Sequence, residues 1–133
     1  MSEIEKFLAV RVVCATPEKF EEAVRFYRGL LGRDEGLRFG QPGDVQQGAF
    51  FSLGDAQLIV TCEEVTPEAA VEQGAAWLCF HSQDPEQLLA DARGRGAALP
   101  NDVVDTSFGT RGFFANEPTG LPIYVGTPWS AGV

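Results

Sequence analysis

The sequence predicts an α+β fold assembled from two similar β-α-β-β-β halves, and three observations carry that prediction. Two segments share one kind of helix start, Thr16-Pro17-Glu18 and Asp84-Pro85-Glu86. Each offers an oxygen-bearing cap, a proline at the first helical position and an acid in the first turn. A run rich in β-branched and aromatic residues precedes each start, and three short strand-like runs bounded by turn residues follow it. Two such units in succession are hard to obtain by accident.

Taken in order, Phe7 to Cys14 reads as the first strand. After the Thr16 cap, Phe20, Val24, Tyr27 and Leu31 recur at helical spacing, Ala23 and Leu30 widen the stripe, and Gly32 closes the helix. Strands are then expected at Leu37 to Gly40, Gln46 to Leu53 and Gln57 to Cys62, with Gly54-Asp55 as a hairpin turn. The second half opens with the strand Ala76 to His81. A shorter helix carries Leu88, Leu89 and Ala92 and ends at Gly94 or Gly96. Strands at Ala98 to Val104, Arg111 to Asn116 and Leu121 to Val125 complete it, with Glu117-Pro118-Thr119-Gly120 as the clearest hairpin. The halves span about 7–63 and 75–126 of one domain covering 1–133, and 63–74 connects them.

The bulk properties narrow the function. A net charge of −9 opposes binding to phosphate backbones and anionic lipid, so neither nucleic acid nor membrane is an expected partner. The acidic surface suits a cationic ligand, or simply keeps the chain dispersed. Met1 to Lys6 is too polar and acidic for a secretory n-region, and a cytoplasmic protein is expected. Cys14, Cys62 and Cys79 are odd in number, widely spaced and form no CxxC, which argues against a disulfide framework and a zinc site.

Three local motifs resemble the vicinal-oxygen-chelate superfamily, which includes glyoxalase I, extradiol dioxygenases, fosfomycin-resistance enzymes and bleomycin-binding proteins. Phe26-Tyr27-Arg28-Gly29-Leu30-Leu31-Gly32 resembles the family's ending of the first helix. Phe80 to Asp84 resembles the end of the fifth strand and the acidic cap of the second helix. Arg111 to Gly120 resembles its "R…DPxG" hairpin, with Glu117 in place of aspartate. The resemblance implies curved sheets around a central cavity, with the helices on the outer face. Strand alternation then sends Val10, Val12, Leu78 and Phe80 toward the helices, and Ala9, Arg11, Val13, Trp77, Cys79 and His81 toward the cavity.

Metal-dependent relatives place histidine or glutamate at four cavity positions. Carried over by motif, these fall on Ala9, Trp77, Tyr124 and either Ile59 or Val60. None offers the carboxylate, imidazole or thiolate that a divalent ion needs, so no metal and no other cofactor is expected. An unconventional set of His81, Cys79 and Glu117 is the alternative. Aromatic residues at two of the four positions resemble the metal-free bleomycin-binding branch, which implies stacking of a bulky cationic ligand. The candidate ligand-binding residues are Ala9, Arg11, Trp77, Cys79, Phe108, Arg111, Phe114 and Tyr124. His81 is the candidate acid or base. Each has a plainer reading: Trp77 as core filling, Arg111 as half of a structural ion pair, His81 as a surface residue.

The expected function is therefore metal-independent binding of a small molecule, for sequestration or carriage, by a homodimer. The alternative is an isomerase or lyase of the same superfamily, with His81 as acid/base and Arg111 stabilising an oxyanion. A third reading is a noncatalytic interaction module.

Overall fold

The computed structural model describes residues 7–62, 77–107 and 109–128. The elements run β1 (Ala9–Cys14), α1 (Pro17–Leu31), β2 (Leu37–Phe39), β3 (Gln47–Leu53), β4 (Ala56–Cys62), β5 (Leu78–His81), α2 (Pro85–Gly94), β6 (Val104–Asp105), β7 (Arg111–Asn116) and β8 (Pro122–Gly126). This is the β-α-β-β-β order twice. Each set of strands forms one mixed sheet, in the orders β1-β4-β3-β2 and β5-β8-β7-β6. In both, the first strand runs parallel to the last and the other pairs are antiparallel. A parallel pair needs a long crossover, which the helix and the intervening strands provide.

The helix starts follow from the caps. Thr16 Oγ1 accepts from Lys19 N at 3.2 Å, and Asp84 Oδ1 accepts from Gln87 N at 3.1 Å. Each satisfies one of the backbone donors left open at a helix N-terminus. Gly32 ends α1 at φ +68°. Beyond α2 the reversal falls on Gly96 (φ +90°) rather than Gly94, and Ala97 N returns to Ala92 O at 3.0 Å.

One expected strand shrinks. Of Ala98 to Val104 only Val104 pairs, with Asp105, against β7. Pro100 has no N–H to give a ladder. The preceding carbonyls are drawn off by Arg93, whose Nε donates to Leu99 O at 2.9 Å and whose Nη2 donates to Asn101 O at 3.1 Å. The alternating burial of Ala97 and Leu99, which imitates a strand in sequence, is core packing by irregular chain.

The described residues group into two compact units, 7–24 with 34–62 and 25–33 with 77–128. In the first, Val12, Cys14, Ala49, Phe51, Leu58 and Val60 share one sheet face by register, and Phe20, Ala23 and Val24 complete the core. Arg38 borders it, with its guanidinium 5.2 Å above the Phe20 ring and bonds to Glu21, Glu35 and the buried Gln47. In the second unit, Phe113, Ala115, Ile123 and Val125 form the inner face, packed with Leu89, Ala92, Tyr27 and Leu30. Burial of an aromatic such as Phe113 contributes on the order of 2–3 kcal/mol. Arg95 ties α1 into this unit by donating from Nε to Gly29 O at 2.8 Å.

Candidate functional site

The inner face of each sheet is committed to core, which leaves the other face for a site. In the second unit, pairing puts Cys79 beside Tyr124 and Tyr124 beside Phe114. Trp77 stands just before β5, two residues from Cys79 and on its side. Their rings form a continuous surface: Trp77 meets Phe114 edge-on at 5.7 Å, and Phe114 meets Tyr124 at 4.8 Å. These separations fall in the favourable range for aromatic pairs. Trp77 is 53% exposed, whereas Tyr124 is buried. Trp77 is thus not core filling; it presents a braced indole face to the surroundings.

Tyr124 plays a different part. Its ring lies over Gly126 and Gly112, where any side chain would strike the phenol. The phenol and Thr110 Oγ1 share a hydrogen bond of 2.6 Å, and Thr110 Oγ1 is 2.8 Å from Thr106 Oγ1. Tyr124 is the fixed floor under Phe114.

Register also resolves the position left open between Ile59 and Val60. Val10 pairs with Leu58 as Leu78 pairs with Ile123, so Arg11–Ile59 is the counterpart of Cys79–Tyr124. Val60 points into the core and is fully buried. The four positions are therefore Ala9, Ile59, Trp77 and Tyr124. The same equivalence pairs Phe50 with Phe114 and Gly48 with Gly112, two residues the sequence reading left unused.

A superfamily profile described as Glyoxalase/Bleomycin resistance protein/Dioxygenase superfamily matches residues 11–125. The chain belongs to this superfamily. Solved structures agree on the fold. A glyoxalase/bleomycin resistance protein from Catenulispora acidiphila superposes with a TM-score of 0.64 at 24% identity, covering 93% of this chain and 99% of that one. Lactoylglutathione lyase from Agrobacterium tumefaciens gives 0.65 at 18% identity, with 98% of each chain covered. TioX from Micromonospora sp. ML1 gives 0.65 at 17% identity, covering 92% of this chain and 98% of that one. No curated protein matches the chain.

The residues at these four positions do not fit the divalent metal that metal-dependent members hold. Alanine, isoleucine and indole supply no lone pair, and the Tyr124 phenol is engaged with Thr110. Among the described residues no three His, Cys, Asp or Glu side chains come together as a metal set. The alternative of His81, Cys79 and Glu117 fails on Glu117. That carboxylate is 2% exposed and faces the hairpin, accepting from Thr119 N (2.7 Å), Leu121 N (3.0 Å), the Thr119 hydroxyl and the Tyr27 phenol (3.3 Å).

Of the remaining candidates, Cys79 and His81 lie exposed on the Trp77 face, at alternate positions of β5. Ala9 and Arg11 occupy the corresponding face of the first unit, Arg11 exposed. Arg111 goes elsewhere. Alternation along β7 sets it with Phe113 and Ala115, opposite to Phe114. Its guanidinium bonds Asp105 at 3.0 Å and Glu86 at the start of α2. The Asp105 and Glu86 bonds raise its pKa above the usual arginine value. Arg111 is here half of a structural ion pair. Phe108 lies outside the described residues. Residues 63–74, read as the connector, do so too.

Proposed function

We propose that this superfamily member binds an organic small molecule without a metal ion, by stacking it on Trp77. The observation that carries the reading is the Trp77–Phe114–Tyr124 ladder with its outermost indole half exposed; motif likeness assigns Trp77 and Tyr124 to positions that hold metal ligands in metal-dependent relatives. A rigid, pre-braced aromatic loses little conformational freedom on binding, which favours affinity. The net charge of −9 draws cations toward the surface, and an indole face attracts them at contact range. A planar or bulky cation is thus the ligand class, and sequestration or carriage the role. Self-association as a homodimer belongs to the same proposal. It is supported by the apolar Leu37, Phe39 and Val104 left exposed on the outward sheet faces.

Titration of ethidium against intrinsic fluorescence tests the stacking. Quenching should persist in Trp129→Phe and vanish in Trp77→Phe. A stoichiometric divalent ion in purified protein would overturn the metal-free half of the proposal. Turnover of a ligand that His81→Ala abolishes, with binding intact, would replace carriage by catalysis. Sedimentation analysis reads the dimer.

A further inference from the structure

The three cysteines are widely spaced in the chain, but the fold sets two of them side by side. In the parallel pairing of β1 with β4, Cys14 is the direct partner of Cys62. The pair follows Val10–Leu58 and Val12–Val60 at alternate positions, so both sulfurs stand on the core face. Both are thiols, 1% and 2% exposed respectively. Neighbouring strands lie about 4.8 Å apart, inside the Cα separation of roughly 4.4–6.8 Å that a disulfide spans. Cys14 is the last residue of β1 and Cys62 the last of β4. At the end of a ladder the backbone can yield the small inward shift that bonding of the sulfurs requires.

The scaffold itself does not call for sulfur in this row. The equivalent row of the second unit falls on Ser82, Thr127 and Arg111, where Thr127 Oγ1 accepts from Arg111 N at 3.0 Å. In the first unit the row is Cys14, Cys62 and the buried Gln47, whose amide is held by Asp44 O at 2.9 Å and by Arg38. Two thiols thus face each other in an apolar setting, bounded on the β3 side by a side chain already engaged.

We infer that Cys14 and Cys62 form a redox-modification site, which a hydroperoxide converts into a reversible intramolecular disulfide. One sulfur attacks a peroxide oxygen and breaks the O–O bond, giving a sulfenic acid and one water. The second sulfur attacks the first; the S–S bond forms as the S–O bond breaks, and the hydroxyl leaves with the thiol proton as a second water. The two thiols together lose two protons and two electrons, and one hydrogen peroxide is reduced to two waters. Burial directs the outcome. Hydrogen peroxide is no larger than a pair of waters, whereas a glutathione-sized thiol is shut out, so the sulfenic acid meets its neighbour first. Cys79 is exposed and is the one cysteine among the described residues of its unit, so it lacks such a neighbour there. The bond closes the chain from 14 to 62, with α1, β2 and β3, into one loop and locks β1 to β4. This inference does not rest on the reading of Trp77, because Cys14 and Cys62 occupy the core face of their sheet.

The test treats the full reduced chain with hydrogen peroxide at neutral pH and stops the reaction with catalase. Alkylation by iodoacetamide in urea and peptide mass spectrometry without reductant follow. A peptide pair joined through Cys14 and Cys62 is expected, with Cys79 outside it and dithiothreitol undoing the link. Tm should rise by about 10 °C on oxidation, from the chain entropy that a loop of this length removes, and return on reduction. Cys79→Ser should behave as wild type, whereas Cys14→Ser and Cys62→Ala should show neither the link nor the shift. Recovery of Cys14 and Cys62 both alkylated while Cys79 is oxidised would overturn the site. A link that forms only when peroxide is added in urea, or one that joins either residue to Cys79, would do the same. A native Cys14–Cys62 link with unchanged Tm would refute the locking of β1 to β4.

Discussion

Glu117→Ala is expected to be among the most damaging single substitutions outside the apolar core. The carboxylate is 2% exposed, and it accepts two backbone N–H groups, one hydroxyl and the Tyr27 phenol. Hydrogen bonds to a charged acceptor contribute roughly 1.5–3 kcal/mol each, but bonds sharing one acceptor do not add in full. Truncation also relieves the cost of holding a charge away from water, which offsets part of the loss. The net expectation is about 3 kcal/mol, or a fall in Tm of roughly 10 °C for a chain of this size. Glu117→Gln keeps one oxygen for the Thr119 and Leu121 amides and should cost about half as much. Tyr27→Phe, which removes the 3.3 Å bond to Glu117, should cost about 1 kcal/mol. Urea unfolding at neutral pH reads all three as a shift in midpoint at unchanged slope. The reasoning fails if Glu117→Ala lies within about 1 kcal/mol of wild type, or if Tyr27→Phe is the costlier change.

Tyr124→Phe removes the bond to Thr110 Oγ1 and should destabilise by about 1 kcal/mol in the same unfolding assay, with Thr110→Val non-additive on top of it. Gly126→Ala forces the Tyr124 phenol off its floor and should cost on the order of 1–3 kcal/mol, with loss of ligand quenching at Trp77. A thiol reagent should modify Cys79 alone in the native state, and Cys14 and Cys62 only on unfolding, as mass spectrometry of the labelled peptides would show. Arg111→Ala should leave binding at Trp77 unchanged in the fluorescence titration, because its side chain serves Glu86 and Asp105 on the opposite face of β7.

What the sequence disclosed is what depends on neighbours in the chain. The Thr16 and Asp84 caps are bonds over three residues, and the turns after β3 and β7 are short, so helix starts and hairpins were legible. Residues 97–103 were not. Their apolar alternation is real burial, but Pro100 and the reach of Arg93 deny them a ladder. The part played by Glu117 was hidden for a related reason: its partner Tyr27 stands ninety residues earlier, and only the folded unit brings them together. Arg111 shows the limit of type without parity. An arginine near a ligand motif suggests anion binding, and a shift of one residue along a strand decides which face receives it.

The same dependence on register explains why the candidate site took shape only partly in advance. Trp77 and Tyr124 were reached through motif likeness and alternation, whereas Ile59 required the parallel pairing of β1 with β4. Once that pairing is known, a further repeat becomes visible: Gly48-Ala49-Phe50 and Gly112-Phe113-Phe114 occupy equivalent rows of their sheets. The backbone is duplicated while the side chains placed on it diverge. Ala9 and Ile59 supply no ring where Trp77 and Tyr124 supply two at the equivalent positions. The first unit instead adds the Phe39 ring on an edge strand, in one row with Thr61, whose buried hydroxyl has no partner among the described residues. Two copies of one scaffold thus present different recognition chemistry. On the second of them the proposed stacking surface is the indole of Trp77 braced by Phe114.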